Sequence, residues 1–484
     1  MKNINLVSAK TMQGASLMIL RTLVLYPIGF LGEVCLSRFL QPQDFGIYAM
    51  ASFVTVTLAG VLEVGLTASL TQRKEKPSQF EFQTLFSLQL LVISILVFAL
   101  FLLGPNFFGS LRLDSSVRWM LLVLLVCPWI SGIGAISYVQ LERELQYPIF
   151  AKIDVFRGFS YATIAVLLAF YGWGVWSFIT ATIISTIVRT AVAFHAAPWS
   201  VRFRLNFSGM KKTLSSGFLF QASTITSLFR DHIGVILAGP LFGPQAVGYL
   251  NWAKNMTFYS SQVFTQVVTR VTFPSISRIQ ENSVAVQEML QATLKYINLL
   301  TFPIIFIFAA LIPEFVAIIF TSKWTPAIPI FYFYSIRMLG SNITTVHISV
   351  LNGLGHIRTS LRILVWWTFI DWIFAGIFCF WFGFHGVAIA YAISVIPISM
   401  WLLFEVNKWA KISFYQTLYL PFITSGLAGL LVWTMKTWFE SSWLSIVTLG
   451  LLGMFTYIAL LLLVEGNSLL KETRIFLKTL STRD

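Results

Sequence analysis

Arg21 and Glu33 are the first residues along the chain that could do chemistry. Both stand inside an apolar stretch, Gly14 to Leu40, long enough to cross a membrane core of about 30 Å. A helix that only anchors has no use for either charge. Pro27 lies between them and removes a backbone donor, and Gly29 and Gly32 make bending easier. The stretch reads as a charged, hinged transmembrane helix. Further charges fall at membrane depth: Arg189, Arg230, Lys254 and Arg337 on the positive side, Glu63, Asp231 and Asp371 on the negative. Each costs at least about 2.5 kcal/mol at the bilayer centre unless it meets a partner or a watery cavity, so these side chains are expected to point inward.

Cations held in a cavity suit an anionic substrate, and a guanidinium matches phosphate oxygens with two parallel hydrogen bonds. Arg21, Arg230, Lys254 and Arg337 are therefore the candidate binding residues for a phosphate-bearing ligand. Glu33, Glu63, Asp231 and Asp371 could take up a coupling H⁺ or Na⁺, or neutralise the arginines. Duller roles stay open at this point. Arg21 and Arg189 lie near enough to helix ends to snorkel to the inner interface, and Arg230 beside Asp231 fits a structural ion pair. His232, His347 and His385 read as packing residues.

Composition sets the class. Of 484 residues, 57% are hydrophobic and 11% charged, and the mean hydropathy is +0.79, so the chain is a polytopic membrane protein with no polar run able to form a soluble domain. The aromatic share of 16% suits interfacial belts, with Trp366, Trp367, Trp438 and Trp443 as anchors. The net charge of +14 is spread over short segments between apolar runs, which the positive-inside rule explains without nucleic acid. Cys35, Cys127 and Cys379 have neither disulfide nor metal-ligand spacing, and no cofactor or metal site is expected. The first helix reads as uncleaved. No GxxxxGK[ST], HExxH or GxSxG occurs, and the longest external loop, about Gly104 to Val117, leaves little room for catalysis. The chain is therefore read as a non-enzyme that draws on an ion gradient, the membrane potential or a substrate gradient.

Apolar runs give about fourteen spans, in an order of six, six and two. Residues 1–205 form an N-terminal lobe, 206–407 a C-terminal lobe, 408–466 two extra spans, and 467–484 a basic amphipathic tail suited to the inner membrane surface. Pro128, Pro303 and Pro397 also fall inside spans, where neighbours can satisfy the freed carbonyls. Lys10-Thr11-Met12 returns as Lys212-Thr213-Leu214, and Pro42, Gln43 and Gly46 return as Pro244, Gln245 and Gly248, each 202 residues on. Gly172-Trp-Gly-Val175 echoes Gly383-Phe-His-Gly-Val387 in the same order, so the two lobes are similar halves. An even number of spans puts both termini on one face. That face collects most of the 33 basic residues, against Arg38, Arg112, Arg118, Lys323 and Lys436 opposite, which makes the termini cytoplasmic.

Several motifs resemble a known family. Leu36-Ser-Arg-Phe-Leu-Gln-Pro-Gln-Asp-Phe-Gly-Ile-Tyr48, Leu70-Thr-Gln-Arg73, Gln140-Leu-Glu-Arg-Glu-Leu145, Gly172-Trp-Gly-Val-Trp176, Leu351-Asn-Gly-Leu-Gly355 and Gly386-Val-Ala-Ile-Ala390 are similar to bacterial oligosaccharide flippases of the polysaccharide transporter family. These belong to a superfamily shared with multidrug extrusion proteins and the lipid II flippase. The resemblance implies an all-α fold, two six-helix lobes forming a V around a central cavity, in the bacterial inner membrane. The implied substrate is an oligosaccharide on an undecaprenyl diphosphate carrier, moved to the periplasmic leaflet by a monomer among membrane lipids. In the related lipid II flippases, cations on the first, second and eighth helices serve the diphosphate. Arg21 and Lys254 match the first and eighth, whereas the second carries Glu63. The two extra helices after Asn407 are implied to form a groove for the lipid tail. Three competitors are a multidrug cation antiporter of the same superfamily, a membrane polysaccharide polymerase or ligase, and lipid II transport itself.

Overall fold

A computed structural model describes residues 2–71, 78–110, 115–204, 222–410 and 413–466. Among them no strand occurs. The helices are α1 (Lys2–Phe39), α2 (Pro42–Thr71), α3 (Gln79–Ser110), α4 (Ser115–Leu124), α5 (Val126–Arg143), α6 (Tyr147–Phe170) and α7 (Trp176–Ala196), then α8 (Ala222–Asp231), α9 (Gly239–Ile279) and α10 (Ser283–Glu314). They are followed by α11 (Ile328–Gly353), α12 (Ile357–Phe382), α13 (His385–Val406), α14 (Leu420–Met435) and α15 (Trp443–Glu465). Ten described helices are long and apolar enough to cross a membrane, or eleven if a pair bent by 48° after Asp231 is one span. The chain is a multi-pass membrane protein. Fourteen spans are expected from sequence. Of the helices outside the ten, α2 and α11 also have the length, about 45 and 39 Å at 1.5 Å per residue, but α11 carries Arg337, Asn342, His347 and Asn352 and is less apolar. α3 runs through Ser110, so most of the expected loop from Gly104 is helical. The 467–484 tail, Lys211 and Lys212 lie outside the described residues.

Contacts divide the chain into two compact units, 1–252 with 361–394, and 253–360 with 395–484. In the first, α1 packs on α6, and α5 and α6 pack on α7. Lipid supplies no hydrophobic drive between helices, so association rests on close approach and hydrogen bonds. Ser137 Oγ donates to the Ala197 carbonyl at 2.9 Å, and Thr190 Oγ1, beside Gly134, donates to that of Ile130 at 3.2 Å.

The repeat is visible in the packing. α1 ends and α2 begins at Leu40-Gln41-Pro42; 202 residues on, α9 breaks at Phe242-Gly243-Pro244, with Gly243 at φ 80°. The two breaks face each other. A methyl group on Gly46 would overlap the Pro244 carbonyl, and one on Gly248 would overlap the Pro42 carbonyl. α2 and the second half of α9 therefore cross backbone to backbone through repeat-related glycines, which explains why this part of the repeat keeps its residue types.

In the second unit α10 is the central post. Asn298 Nδ2 donates to the Thr417 carbonyl at 2.8 Å, in the π-helical turn Tyr415–Tyr419 whose widened ladder leaves carbonyls to satisfy. Asn342 Nδ2 donates to Asn298 Oδ1 at 3.0 Å and Thr301 Oγ1 at 2.6 Å. The two C-terminal helices are fastened to α10 at its middle and at its C-terminal end: Lys295 to Glu465 at 3.1 Å, and Lys436 to Glu314 at 3.2 Å. Both members of the first pair are about nine-tenths buried, so removing one strands a buried charge at a cost of about 3–5 kcal/mol. Lys295→Met is expected to lower the thermal midpoint of the purified protein, and Lys295→Met with Glu465→Met to restore most of it. Fluorescence-detected size exclusion after heating measures both.

Candidate functional site

Asp154, Gly158 and Ala162 form one ridge of α6 at helical spacing and meet Arg21, Leu25 and Gly32 of α1. A side chain on Gly158 would crowd Leu25, so the glycine sets how closely the helices approach. Residue numbers rise together along both helices, so α1 and α6 run parallel, as helices separated by an even number of crossings must. Their other ends meet at Phe39 and Phe170, with ring centroids 5.7 Å apart. Pro148 in the first turn starts α6 where a missing N–H costs nothing.

Close packing of these two helices opens a cavity of about 320 Å³ against α7 and α2. Arg21, Asp154 and Arg157 bring the charge, and Tyr48, Tyr161, Thr182 and Ser185 bring hydroxyls. Arg21 pairs with Asp154 at 3.2 Å. Tyr48 and Thr182 share a hydrogen bond of 2.8 Å. A smaller cavity of about 170 Å³ lies between α5 and α7, where Arg189 Nε donates to Tyr138 Oη at 2.9 Å and its guanidinium lies 4.5 Å over the same ring. Two guanidiniums against one carboxylate, among hydroxyls, can hold an anion and hydrogen-bond a sugar.

The other expected residues fall elsewhere. Arg230 ends α8, pairs with Asp231 at 3.2 Å and lies 4.3 Å over the Trp367 ring. Trp367 is therefore a buried platform inside α12 rather than the interfacial anchor expected, whereas Trp438 and Trp443 are exposed near helix ends. Asp371 of α12 is fully buried and accepts from Ser394 of α13. Lys254 in α9 and Arg337 in α11 are half-buried and belong to the second unit. Glu33 is half-buried in α1. The side chain of Glu63 lies outside the described residues. α1 is continuous through Pro27, which is exposed, with Gly29 half-buried and Gly32 against Ala162. Among the described residues no cluster of three or more His, Cys, Asp or Glu could hold a metal ion.

Sequence reasoning missed Asp154 and Arg157. Apolar runs put Arg157 inside a span without giving it a role, and because α6 begins at Tyr147 it lies about 15 Å inside the helix. The ridge of Asp154, Gly158 and Ala162 is the signal that could have found them.

A family model described as polysaccharide biosynthesis protein matches residues 35–329, more than half of the chain. The chain belongs to this family. It is 26% identical over 445 residues to the teichuronic acid biosynthesis protein TuaB of Bacillus subtilis strain 168, covering 88% of this chain and 89% of TuaB. It is 23% identical over 367 residues to the lipopolysaccharide biosynthesis protein WzxC of Escherichia coli K12, covering 75% and 73%. Among solved structures it resembles the lipid II flippase MurJ in an inward-closed conformation, with a TM-score of 0.79, 15% identity, and coverage of 92% of this chain and 98% of MurJ. An inward-facing multidrug transporter of the MATE family gives a TM-score of 0.60 over 80% of this chain and 94% of its own, at 15% identity. The chain thus shares its fold with these two transporters.

Proposed function

We propose that the protein is a flippase that moves oligosaccharide units, linked by diphosphate to a polyprenyl carrier, from the cytoplasmic to the periplasmic leaflet for surface polysaccharide biosynthesis. The cavity beside α1 carries the reading: two guanidiniums outnumber one carboxylate among four hydroxyl groups, a lining suited to a diphosphate and its sugar. Membership of a polysaccharide biosynthesis family and a flippase fold support it.

In this reading the headgroup enters from the cytoplasmic side, the tail stays in lipid, and the substrate path becomes accessible from the two sides of the membrane in turn. The repeats within 1–205 and 206–407 move against each other, with bending near Pro27, Gly29 and Gly32. Lys254, Arg230 and Arg337 add positive charge along the path. H⁺ or Na⁺ binds among Glu33, Glu63, Asp231 and Asp371. The protein sits in the inner membrane as a monomer with both termini cytoplasmic.

A deletion strain should accumulate the diphosphate-linked oligosaccharide on the cytoplasmic face, and re-expression should clear it. Unchanged lipid-linked pools together with new sensitivity to cationic drugs would instead point to multidrug extrusion.

A further inference from the structure

Arg157 is the cation in a predicted span to which the sequence attaches no role. It lies about 15 Å past the start of α6 at 1.5 Å per residue, too deep to reach the interface by snorkelling, which works near helix ends. Its side chain is solvent-accessible although helices enclose it, as befits a group lining a watery cavity. Among the described residues it donates no hydrogen bond and makes no ion pair within 4 Å, whereas Arg21 across the cavity is held by Asp154. A charge kept at that depth is costly, and among the described residues no ion pair within 4 Å offsets the cost here.

We infer that Arg157 and Arg21 form a two-armed clamp for the diphosphate, and that Asp154 competes with the diphosphate for Arg21. The inference rests on the flippase reading above. Asp154 and Arg157 stand three residues apart on α6 and so share a face, and Arg21 reaches the same carboxylate from α1. The carboxylate thus pairs with one guanidinium and shares the cavity with a second from another helix. A diphosphate has two phosphoryl groups, each able to accept a forked pair of hydrogen bonds from one guanidinium, and its charge exceeds that of Asp154. Tyr161 of α6 and Ser185 of α7 bring further hydroxyls to the lining. The clamp also supplies selectivity: a monophosphate engages one arm and leaves the other idle.

The test is binding of geranyl diphosphate, geranyl monophosphate and geraniol to the full-length protein in nanodiscs, by equilibrium dialysis. The wild type should prefer the diphosphate. Arg157→Gln should weaken diphosphate binding by about 10- to 100-fold, the equivalent of one charge-assisted contact, and bring it to the level of the monophosphate. Arg157→Lys, which keeps the charge without the fork, should fall between. Asp154→Asn should tighten diphosphate binding by up to about fivefold, the worth of a partly exposed ion pair. If the wild type prefers the diphosphate and Arg157→Gln binds it equally well, the clamp is wrong and the flippase reading survives. If the wild type does not discriminate diphosphate from geraniol, the flippase reading fails and takes the clamp with it.

Discussion

Arg21→Ala is expected to reduce export of lipid-linked oligosaccharide at least about tenfold while the protein still reaches the membrane, since one charge-assisted hydrogen bond to phosphate contributes about 1.5–3 kcal/mol. The loss should exceed that of a single contact. Without Arg21, Asp154 keeps its negative charge in the cavity and repels the incoming anion. The double variant Arg21→Ala with Asp154→Ala separates two roles for the arginine. If Arg21 served only to neutralise Asp154, removing both would restore export. If it holds substrate, the double variant recovers only the repulsive part and stays impaired. Steady-state export in a deletion strain, normalised to membrane protein level, measures all three. Full export by Arg21→Ala and by Lys254→Ala, alone and together, would remove the cations from the account.

Gly46→Ala and Gly248→Ala should each impair the protein to the same degree, and the double variant should be little worse than either. The reason is geometric. Each glycine meets the carbonyl of a proline on the opposing helix, so one methyl on either side forces the same separation of α2 from α9. Protein interiors are close-packed, and here the obstructing atoms belong to backbone rather than to a side chain that could rotate away. Each substitution is expected to cost about 3 kcal/mol, the upper end of ordinary overpacking. Because the second methyl enters a gap already opened by the first, the costs do not add. Thermal midpoints and export of the two single variants and the double variant check this. Additive losses would mean that the glycines act independently and that the reciprocal crossing is not what holds the helices.

Much of the architecture could be read from the chain. The repeat of Pro42, Gln43 and Gly46 as Pro244, Gln245 and Gly248 needed only residue identities, although that its glycines mark a helix crossing came from the structure. Apolar runs placed the helices because lipid leaves a spanning backbone no other way to satisfy its hydrogen bonds than helix. Local breaks were partly legible. Pro128, three residues past the interruption at Leu125, and Pro240, two residues past the π-helical turn Gly234–Ala238, each remove a backbone donor at the break, whereas no residue within Phe315–Phe320 marks the π-helical turn there.

The site was half legible. Arg21 drew attention because an arginine in an apolar run is costly, but its partner lies on another helix far along the chain. Asp154 drew none, because nothing local marks it as the partner of Arg21 on the facing helix. The reverse error attached to Trp367, whose neighbour Trp366 suggested an interface, while its ring in fact lies buried under Arg230. In both cases the identity of the facing helix, which no local pattern encodes, decided the role.

The most direct measurement of the central claim is flipping by the purified protein in liposomes carrying a fluorescent oligosaccharide on polyprenyl diphosphate, with an impermeant quencher outside. The account predicts that the wild type exposes label from the inner leaflet to the quencher, that empty liposomes do not, and that Arg21→Ala protein approaches the empty control. Quenching no greater than in empty liposomes, or equal transport of the same oligosaccharide on a carrier lacking the diphosphate, would contradict it.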